Sequence, residues 1–567
     1  LQLLTSGDTL KWKQDNGEPM DHHKIFSQAG LKSSVKYYLQ NTTLHGLKYL
    51  AEDKLTISER IFFGLSFVFV VILSGFFISN IYVKWSISPI IISTSARQTL
   101  TTSIPFPAIT ICNLNQALKS KVKAINRSSA NYSLLMSLCD LGDPNVTYVG
   151  TWAVFKQILL NVAQPCNEML LFCSFGSRTE ECSTIFNSVL TDDGLCCTFN
   201  ALDPSFLLRN YSEDNRLSYN PESHHEPIDW TPENGYAADL PPHFYPRTSG
   251  GTGSGMGLTV ILNSSSDQYF CTKSKSVGFK VLVHNPAELP KISNYGFLVT
   301  AGRETRVPVE PIYQNAVPSI RSIHKQVRRC LFSDEGDLMF YRIYSRKNCE
   351  LECEANILIR KCKCVLYYLP RIEANIRICG PNDNTCTNQV QSEIESSDPN
   401  VSCATCLPGC FELSYKATVT ASNIVHGDFY SADNYPASVF DPTIVKDVSI
   451  LHIYYLSDIF RGTTKSEIIG FTEFLSNTGG LLGLFMGFSI FSLIEIIYYI
   501  TVRPYCANRM ADKANRRRLK AELKVSIQQA NVFSRLAKKK YKNCQRQILN
   551  RSEKVVYDDT HVFPYIN

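Results

Sequence analysis

The sequence lacks the short motifs that mark common enzyme active sites. Its 567 residues contain no glycine-rich nucleotide-binding loop, no His-Glu-x-x-His zinc motif and no Gly-x-Ser-x-Gly nucleophile elbow. We therefore expect neither an enzyme nor a bound cofactor or metal. The organisation of the chain is more informative about its function.

Charged side chains are missing from long stretches of two apolar runs. The first run, 61–83, has none, and at ~1.5 Å per residue it is long enough to cross a ~30 Å hydrocarbon core. The second, 479–500, carries one carboxylate, Glu495. We predict a transmembrane helix for each run, which divides the chain into an N-terminal region (1–60), a first span (61–83), a central domain (84–478), a second span (479–500) and a tail (501–567).

Cysteine is scarce outside the central domain, because 18 of the 20 cysteines lie from Cys112 to Cys410. An even number of cysteines in one segment is typical of a disulfide framework formed in the secretory pathway, so we expect this domain to be extracellular. Metal binding is the alternative for the pairs Cys362-x-Cys364 and Cys403-x2-Cys406. Six glycosylation sequons in the same domain agree with the extracellular placement: Asn126, Asn131, Asn145, Asn210, Asn263 and Asn400.

Short alternating runs in the central domain, such as 259–262 and 281–284, predict strands mixed with helices. The glycine- and serine-rich run 249–257 predicts a mobile loop between them. We therefore expect an α+β domain.

The excess of basic residues is concentrated in the tail. From Arg503 to Asn567, 16 Lys/Arg residues stand against 5 Asp/Glu. Because Lys and Arg accumulate on the cytoplasmic side of spans, both termini are predicted to be cytoplasmic. The triplets Arg516–Arg518 and Lys538–Lys540 could attract anionic lipid. A nucleic-acid-binding arm is the alternative interpretation, which the two spans disfavour.

The second predicted span differs from an ordinary membrane anchor. Glycines recur from Gly479 to Gly487 at near-helical spacing, which fits either a helix-packing face or a segment with open backbone carbonyls. Ser489 adds a hydroxyl in mid-span. Glu495 should face protein or water, unless it lies close enough to the cytoplasmic end to reach the headgroups. A single helix cannot enclose a pore, so a channel function would require an oligomer.

Five motifs follow one another between residues 36 and 500. They are Leu44-His45-Gly46-Leu47, FPAITICN at 106–113, GLCCTFN at 194–200, GFKVLVHNP at 278–286 and GLFMGFS at 483–489. In this order, and bracketed by two spans, they resemble the signatures of the degenerin/epithelial sodium channel superfamily, most closely the insect pickpocket branch.

This resemblance implies a trimeric plasma-membrane protein with a hand-like, disulfide-rich α+β ectodomain of the acid-sensing-channel type. The implied function is that of one subunit of a sodium-permeable, amiloride-sensitive, sensory cation channel, in a homotrimer or a heterotrimer with related subunits. The resemblance implies no cofactor, only the permeant sodium ion, and we expect partners among related subunits and the lipid bilayer but no nucleic acid.

The resemblance also implies roles for individual residues. Gly487, Phe488 and Ser489 would form the selectivity filter, although the middle position is usually small in this family. His45, Gly46 and Ser476 would act in gating, and Glu495 would raise the cation concentration at the inner pore mouth. Taken alone, His45-Gly46 would be an ordinary turn.

The resemblance suggests a nested set of disulfides in the thumb of the hand, and two further pairs. The thumb pairs would be Cys330–Cys410, Cys349–Cys406, Cys353–Cys403, Cys362–Cys386 and Cys364–Cys379. Outside the thumb, Cys112 would pair with Cys196 and Cys197 with Cys271, leaving Cys139, Cys166, Cys173 and Cys182 to complete the set.

Three alternatives share the predicted topology. A trimeric ATP-gated channel also has two spans, but its signatures are missing from this sequence. A two-anchor receptor or adhesion protein would not need a Gly-Phe-Ser segment or Glu495 within its second span. The third alternative, an obligate partner subunit that conducts only beside another subunit, is not decided by the sequence.

The gating stimulus is also undecided. The acidic run 334–337 fits either a proton sensor or a solvated loop. Arg328-Arg329 replace an aromatic residue of acid-sensing relatives, which disfavours direct gating by protons.

Overall fold

The chain forms two compact units, one built from Leu1–Trp85 with Gly470–Asn567 and the other from Ser86–Ile469. The structure is a computed structural model and describes residues 28–87, 89–139, 152–209, 226–371, 376–395, 403–425, 435–436 and 445–551. The predicted glycosylation sites Asn145, Asn210 and Asn400 lie outside these residues.

Helices occur in both units. In chain order they are α1 Gln28–Asn41, α2 Leu47–Leu50, α3 Ile57–Ile87, α4 Lys119–Lys123, α5 Ala130–Leu138, α6 Trp152–Val162, α7 Cys166–Met169, α8 Cys182–Ile185, α9 Pro204–Leu207, α10 Ile292–Tyr295, α11 Lys325–Arg328, α12 Arg346–Cys362, α13 Asn384–Glu395, α14 Phe471–Met486, α15 Ile490–Ile497 and α16 Arg503–Arg551. A single π-helical turn, Tyr498–Val502, joins the last two.

The strands all belong to the cysteine-rich unit. They are β1 Ile90–Thr94, β2 Thr99–Leu100, β3 Ala108–Asn113, β4 Asn115–Leu118, β5 Leu170–Phe175, β6 Arg178–Glu180, β7 Phe186–Thr191, β8 Gly194–Phe199, β9 Glu226–Pro227, β10 Phe244–Tyr245, β11 Leu258–Asn263, β12 Tyr269–Thr272, β13 Gly278–His284, β14 Phe297–Thr300, β15 Arg303–Ala316, β16 Glu412–Ala417, β17 Thr420–Asn423, β18 Val448–Tyr455, β19 Ile459–Phe460 and β20 Thr463–Glu467.

In the first unit, the two apolar runs form helices of different kinds. α3 is one continuous helix whose length and apolar composition suit a membrane span. The second run meets the same criteria only as a pair of helices, which bend by 72° at the short break between α14 and α15. The unbroken helix predicted for 479–500 is therefore interrupted, and its first helix begins earlier, at Phe471. Stacked rings of Phe77 on Phe485 and of Trp85 on Phe474 hold α3 against α14.

In the second unit, two sheets enclose most of the core. One has nine strands in the order β1-β20-β15-β18-β11-β5-β6, with β16 and β17 also paired to β15. The other has five, in the order β14-β13-β3-β8-β7. The central strands β3, β11 and β18 are buried on both faces, so their sequences read as almost continuous apolar runs. The core between the sheets includes Phe106, Phe199 and Tyr455.

The glycine-rich run 249–257 forms a loop before β11, as predicted, and it packs against neighbouring backbone. The amide of Gly253 donates to the carbonyl of Tyr455 (3.0 Å), and the hydroxyl of Ser249 donates to the carbonyl of Met256 (3.2 Å). A Cβ at Gly257 would lie 2.1 Å from the carbonyl oxygen of Ile453. The glycines of this run permit a close approach of two backbones.

Nine disulfides join all 18 cysteines from Cys112 to Cys410. They are Cys112–Cys196, Cys139–Cys271, Cys166–Cys197, Cys173–Cys182, Cys330–Cys410, Cys349–Cys406, Cys353–Cys403, Cys362–Cys386 and Cys364–Cys379. The five thumb pairs and Cys112–Cys196 agree with the pairs that the resemblance suggested. The pair Cys197–Cys271 is wrong.

The wrong prediction for Cys197 has a simple geometric cause. Cys196 and Cys197 are neighbours on β8, and successive side chains of a strand point to opposite faces of its sheet. Cys196 lies directly across from Cys112 in the register of β3 with β8, so Cys197 faces the other way and meets Cys166. Cys271 instead bonds to Cys139.

The thumb consists of α12 and α13 with the disulfides along them. Cys349 and Cys353 are one turn apart on α12 and bond to Cys406 and Cys403, the partners that the resemblance implied. Their helical spacing places both on one side of α12. The hydroxyl of Ser345 caps the start of α12 by accepting a hydrogen bond from the amide of Asn348 (3.1 Å). The alternative of a metal site involved Cys362, Cys364, Cys403 and Cys406. Because all four are oxidised to disulfides, they present no thiolates to a metal ion.

Glu288, which follows β13, gives this unit a pH dependence. Burial raises its pKa to about 7, from 4.5 in the unfolded chain; Lys347 and a hydrogen bond from Ser345 oppose this rise, and Glu412 and Glu350 add to it. The folded state therefore holds a proton that the unfolded state releases between these two pKa values, and the free energy of unfolding should fall as the pH rises from about 4.5 to 7.

We expect Glu288→Gln to remove this contribution, on the order of 1–3 kcal/mol. The thermal unfolding midpoint of the purified variant should then decline less than that of the parent chain between acidic and neutral pH. Glu310→Gln, at an exposed position on β15, is the control and should leave the profile unchanged. Equal profiles for the parent and Glu288→Gln would contradict the assignment.

Candidate functional site

The break between α14 and α15 is formed by Gly487, Phe488 and Ser489. Gly487 ends α14 with a left-handed backbone (φ 64°, ψ 21°), a conformation that glycine adopts without the steric cost of a Cβ. The Gly487 amide donates to the carbonyl of Gly483 (2.9 Å), and the Phe488 amide donates to the carbonyl of Leu482 (3.3 Å). These bonds close the end of α14, so the chain leaves the helix in a fixed direction.

Ser489 starts the next helix. Its hydroxyl accepts from the amide of Ser492 (3.3 Å), and the Ser489 amide donates to the Ser492 hydroxyl (3.2 Å), which forms a reciprocal capping box. The Ser489 side chain is exposed, whereas Ser492 is buried. The hydroxyl at the break is thus held in place by the local structure of α15.

A turn before α2 packs against this break. The amide of His45 donates to the carbonyl of Met486, the last residue of α14 (3.0 Å). The His45 imidazole lies so close to Gly487 that a Cβ there would be 2.8 Å from its Cε1 and Nδ1 atoms. Gly46 has a φ of 85°, which a residue with a side chain rarely adopts. His45 and Gly46 therefore form a turn whose conformation requires glycine. This turn packs against a helix break that also requires glycine.

A second contact fixes the same turn to α15. The carboxylate of Glu495 accepts hydrogen bonds from the amide and the hydroxyl of Thr43, at 3.1 and 2.9 Å. The Thr43 hydroxyl also lies 3.0 Å from that of Ser492. Hydrogen bonds to a charged acceptor are roughly twice as strong as neutral ones, so this contact is a firm link between residues 43 and 495.

Aromatic contacts anchor the helices on either side of the turn. On α1, the rings of Tyr37 and Tyr38 pack against Tyr499, with centroids 6.1 and 5.4 Å away. The guanidinium of Arg503 lies 3.8 Å from the centroid of the Tyr37 ring, a distance at which cation–π attraction is strong. The N-terminal segment is therefore held at both ends of α15.

The comparisons with known proteins agree with this architecture. The family model described as "Amiloride-sensitive sodium channel" matches residues 38–499, from the N-terminal turn through the second apolar run. The chain belongs to this family. Members of this family form multimeric channels. The cysteine-rich unit of the chain is the ectodomain characteristic of the degenerin/epithelial sodium channel superfamily.

Several curated relatives fall in the same family. Pickpocket protein 28 of Drosophila melanogaster is 66% identical over 512 residues, which cover 89% of this chain and 84% of the relative. Sodium channel protein Nach of the same species is 23% identical, and the match covers 83% of this chain and 88% of the relative. Acid-sensing ion channel 2 of Homo sapiens is 23% identical, and the match covers 85% of this chain and 89% of the relative. These matches confirm that the chain lies in the pickpocket branch. Two of the three relatives are named as ion channels.

The structure brings together most of the site residues predicted from the sequence, but not all of them. His45 and Gly46 meet the break at Gly487, and Glu495 joins them through Thr43. Ser476 is separate, because it is exposed on α14 about three turns before the break. Among the sequons within the described residues, Asn126 and Asn131 are exposed and Asn263 is half-buried.

Two residues of the site were missed from the sequence. Ser492 follows Ser489 by three positions and precedes Glu495 by three, so helical spacing alone could have placed all three on one face of α15. Thr43 gave no such signal. It reaches the site only because the chain between α1 and α2 turns back toward α15, a long-range contact that no local pattern encodes.

The Thr43 contact leads to a testable prediction. Thr43→Val keeps the side-chain shape but removes the hydroxyl, so it loses one charge-assisted hydrogen bond, worth ~1.5 kcal/mol or more. If the turn supports the break in the conducting state, we expect sodium current per surface channel to fall about tenfold. Thr43→Ser, which retains the hydroxyl, is the matched control and should keep most of the current. Equal currents in the two variants would contradict the role.

Proposed function

We propose that this chain is one subunit of a sodium-permeable, amiloride-sensitive cation channel of the plasma membrane. The observation that carries the proposal is the glycine-dependent break in the second apolar helix, with the His45 turn docked on it, in a chain of the sodium-channel family. α3 and the α14–α15 pair would both cross the membrane, with the termini in the cytoplasm and the cysteine-rich unit outside, where its sequons would be glycosylated.

Three such subunits would surround one conduction path. At the break, the left-handed turn at Gly487 interrupts the helix and leaves the hydroxyl of Ser489 exposed. Backbone carbonyls and hydroxyls are the kinds of oxygen that replace water around a partly dehydrated cation. We assign the selectivity filter to Gly487, Phe488 and Ser489. Phe488 is half-buried, and its ring would point away from the path so that its bulk does not obstruct ions.

Glu495 would act beside this filter. Its carboxylate brings negative charge to the inner end of α15, which would raise the local concentration of cations. The hydrogen bonds from Thr43 give it a second role, since the same carboxylate holds the N-terminal turn. Gating would then involve His45, Gly46 and Thr43 next to the break that ends α14. It would also involve Ser476, which lies in the first half of α14.

The ectodomain would convert a sensory stimulus into movement of the spans. Five disulfides stiffen the thumb, so a displacement at one of its ends would be transmitted rather than absorbed locally. The homotrimer and the heterotrimer with related subunits are both compatible with these features, and an obligate partner subunit that does not conduct alone is the second candidate. Because Phe488 replaces a small residue at the filter, the possibility that this subunit does not conduct alone should be tested directly.

The decisive experiment is whole-cell current from the Ser476→Val variant expressed alone. A branched side chain at this position near the outer mouth would oppose closure, so we expect a constitutive inward sodium current that amiloride blocks. Ser476→Ala, which adds no bulk, should remain closed. A silent variant that still reaches the cell surface would reject the homomeric channel, and co-expression with related subunits would then separate an obligate partner from a non-conducting receptor.

The basic tail is a candidate for anionic lipid. Both triplets, 516–518 and 538–540, lie on α16, an uninterrupted and exposed helix. The first triplet is about 20 Å along the helix from Arg503, so lipid contact requires the tail to bend back toward the membrane. Neutralising both triplets should lower binding of the purified chain to anionic liposomes, and unchanged binding would reject this partner.

A further inference from the structure

The tail helix α16 carries an apolar stripe that has no partner within the described chain. Eight large apolar side chains between residues 519 and 541 are more than half exposed, Phe533 at 75%. A soluble helix that exposes so much apolar surface is typical of an interaction site. The question is which surface covers it.

The spacing of the stripe is that of a coiled coil. From residue 519 onward, uncharged residues recur at alternating intervals of four and three: Leu519, Leu523, Ser526, Ala530, Phe533 and Ala537. These are the d and a positions of a heptad register, with Cys544 at a later a position. The flanking e and g positions hold Ile527, Leu536 and Tyr541. Six of the eight exposed apolar residues therefore lie on one face, and only Val525 and Val532 lie off it, at c positions.

Charge is segregated to the opposite face. Of the seven basic residues between 519 and 544, five occupy the outward b, c and f positions of the same register: Lys524, Arg535, Lys538, Lys539 and Lys542. Copies of the helix could pack along the stripe without bringing these charges into the contact. The exceptions are Lys520 at the first e position and Lys540 at a late d position, which mark the two ends of the stripe.

The position of the stripe favours a second copy of the chain over lipid. The chain stays helical from Ile490 to Arg551, with one π-helical turn at Tyr498–Val502, and the stripe begins about 25 Å beyond Arg503. The headgroup region is only ~5–8 Å thick on each side of a bilayer, so a helix that continues from the span carries the stripe past it. In a channel with subunits arranged around one axis, the same helices from neighbouring subunits would emerge side by side.

We propose that residues 519–544 of neighbouring subunits form a parallel coiled coil beneath the pore. This inference rests on the proposed oligomeric channel and adds a cytoplasmic assembly element to it. The 3.5-residue repeat specifies a left-handed supercoil. Ala530 and Ala537 leave a thin core, whereas the wide stripe that includes e and g positions suits more than two strands. The basic face stays free on the outside of the bundle.

Thiol cross-linking in the full-length chain tests the proposal. In a Cys506→Ser/Cys544→Ser background, a single cysteine is introduced at Ala530, an a position, or at Gln528, an outward f position two residues away. Both positions are exposed in the single chain. Membranes of expressing cells are treated with a short bismaleimide, whose thioether links survive later reduction of the ectodomain disulfides. We expect at least fivefold more covalent dimer from Ala530→Cys than from Gln528→Cys, and Phe533→Glu should abolish the difference.

A parallel measurement separates this proposal from the channel assembly on which it rests. Differently tagged full-length copies are co-precipitated from the same cells. Copies that co-precipitate while both cysteines cross-link equally, or neither does, would overturn the coiled coil but leave the oligomeric channel intact, as for a tail that lies on the membrane or binds another protein. Copies that fail to co-precipitate would overturn both.

Discussion

Gly487→Ala is expected to lower sodium current per surface channel at least tenfold. The substitution meets two separate obstacles at one position. The backbone there has a φ of 64°, which costs ~1–2 kcal/mol for a residue with a Cβ. The added methyl group would also lie 2.8–2.9 Å from the ring of His45, so either the ring or the break must shift. Whole-cell recording in the Ser476→Val background, normalised to surface biotinylation, measures the effect.

The chain supplies a matched control for this prediction. Gly483 lies one turn earlier on the same helix, and a Cβ there would approach nothing closer than the carbonyl oxygen of Phe488, at 3.7 Å. Gly483→Ala should therefore keep most of the current. Adding His45→Ala to Gly487→Ala removes the clash but not the backbone strain, so we expect partial recovery. Full current in Gly487→Ala would contradict the assignment of this contact to the conducting state.

The features that the sequence predicted well are those encoded locally or by motif. The two apolar runs, the cluster of cysteines and the ordered motifs each leave a pattern in consecutive residues. The pairs Cys349–Cys406 and Cys353–Cys403 came from the family resemblance, and the four-residue spacing of Cys349 and Cys353 agrees with them, because it places both on one face of α12. The strands around 259–262 and 281–284 were predicted from alternation and lie within β11 and β13.

The failures concern long-range geometry. The partner of Cys197 depends on which face of β8 it occupies, and that face is set by the pairing of β8 with β3. The interruption of the second apolar run could have been inferred from Gly487 followed two residues later by Ser489, a helix stop and a helix start in sequence. The apolar composition of the run concealed this signal.

The site illustrates the same division. Gly487, Ser489 and Glu495 stand out in the sequence because they are unusual in an apolar run. Thr43 is an ordinary threonine in a polar segment, and only the folded chain brings it to 2.9 Å from the Glu495 carboxylate. A residue that completes a site from a distant part of the chain leaves no local pattern.

Loss of the disulfide at the base of the thumb should severely destabilise the ectodomain. Cys330 and Cys410 are both fully buried, 80 residues apart in sequence, and pack with Phe332 and Ile320. With the inner pairs intact, their bond closes a loop of about 25 residues, which restricts the unfolded chain by ~3–3.5 kcal/mol. Domains are commonly stable by only ~5–15 kcal/mol, so this is a large share of the total.

We therefore expect the double variant Cys330→Ala/Cys410→Ala to reach the cell surface at less than a tenth of the parent level. Changing both cysteines leaves no free thiol to mispair. The control is Cys173→Ala/Cys182→Ala, which opens a loop of only 9 residues between segments that β5 and β6 already hold close together. Its smaller entropic cost, ~2.6 kcal/mol, should give a milder loss of surface protein. Equal surface levels for the two double variants would show that loop closure at the thumb base does not dominate ectodomain stability.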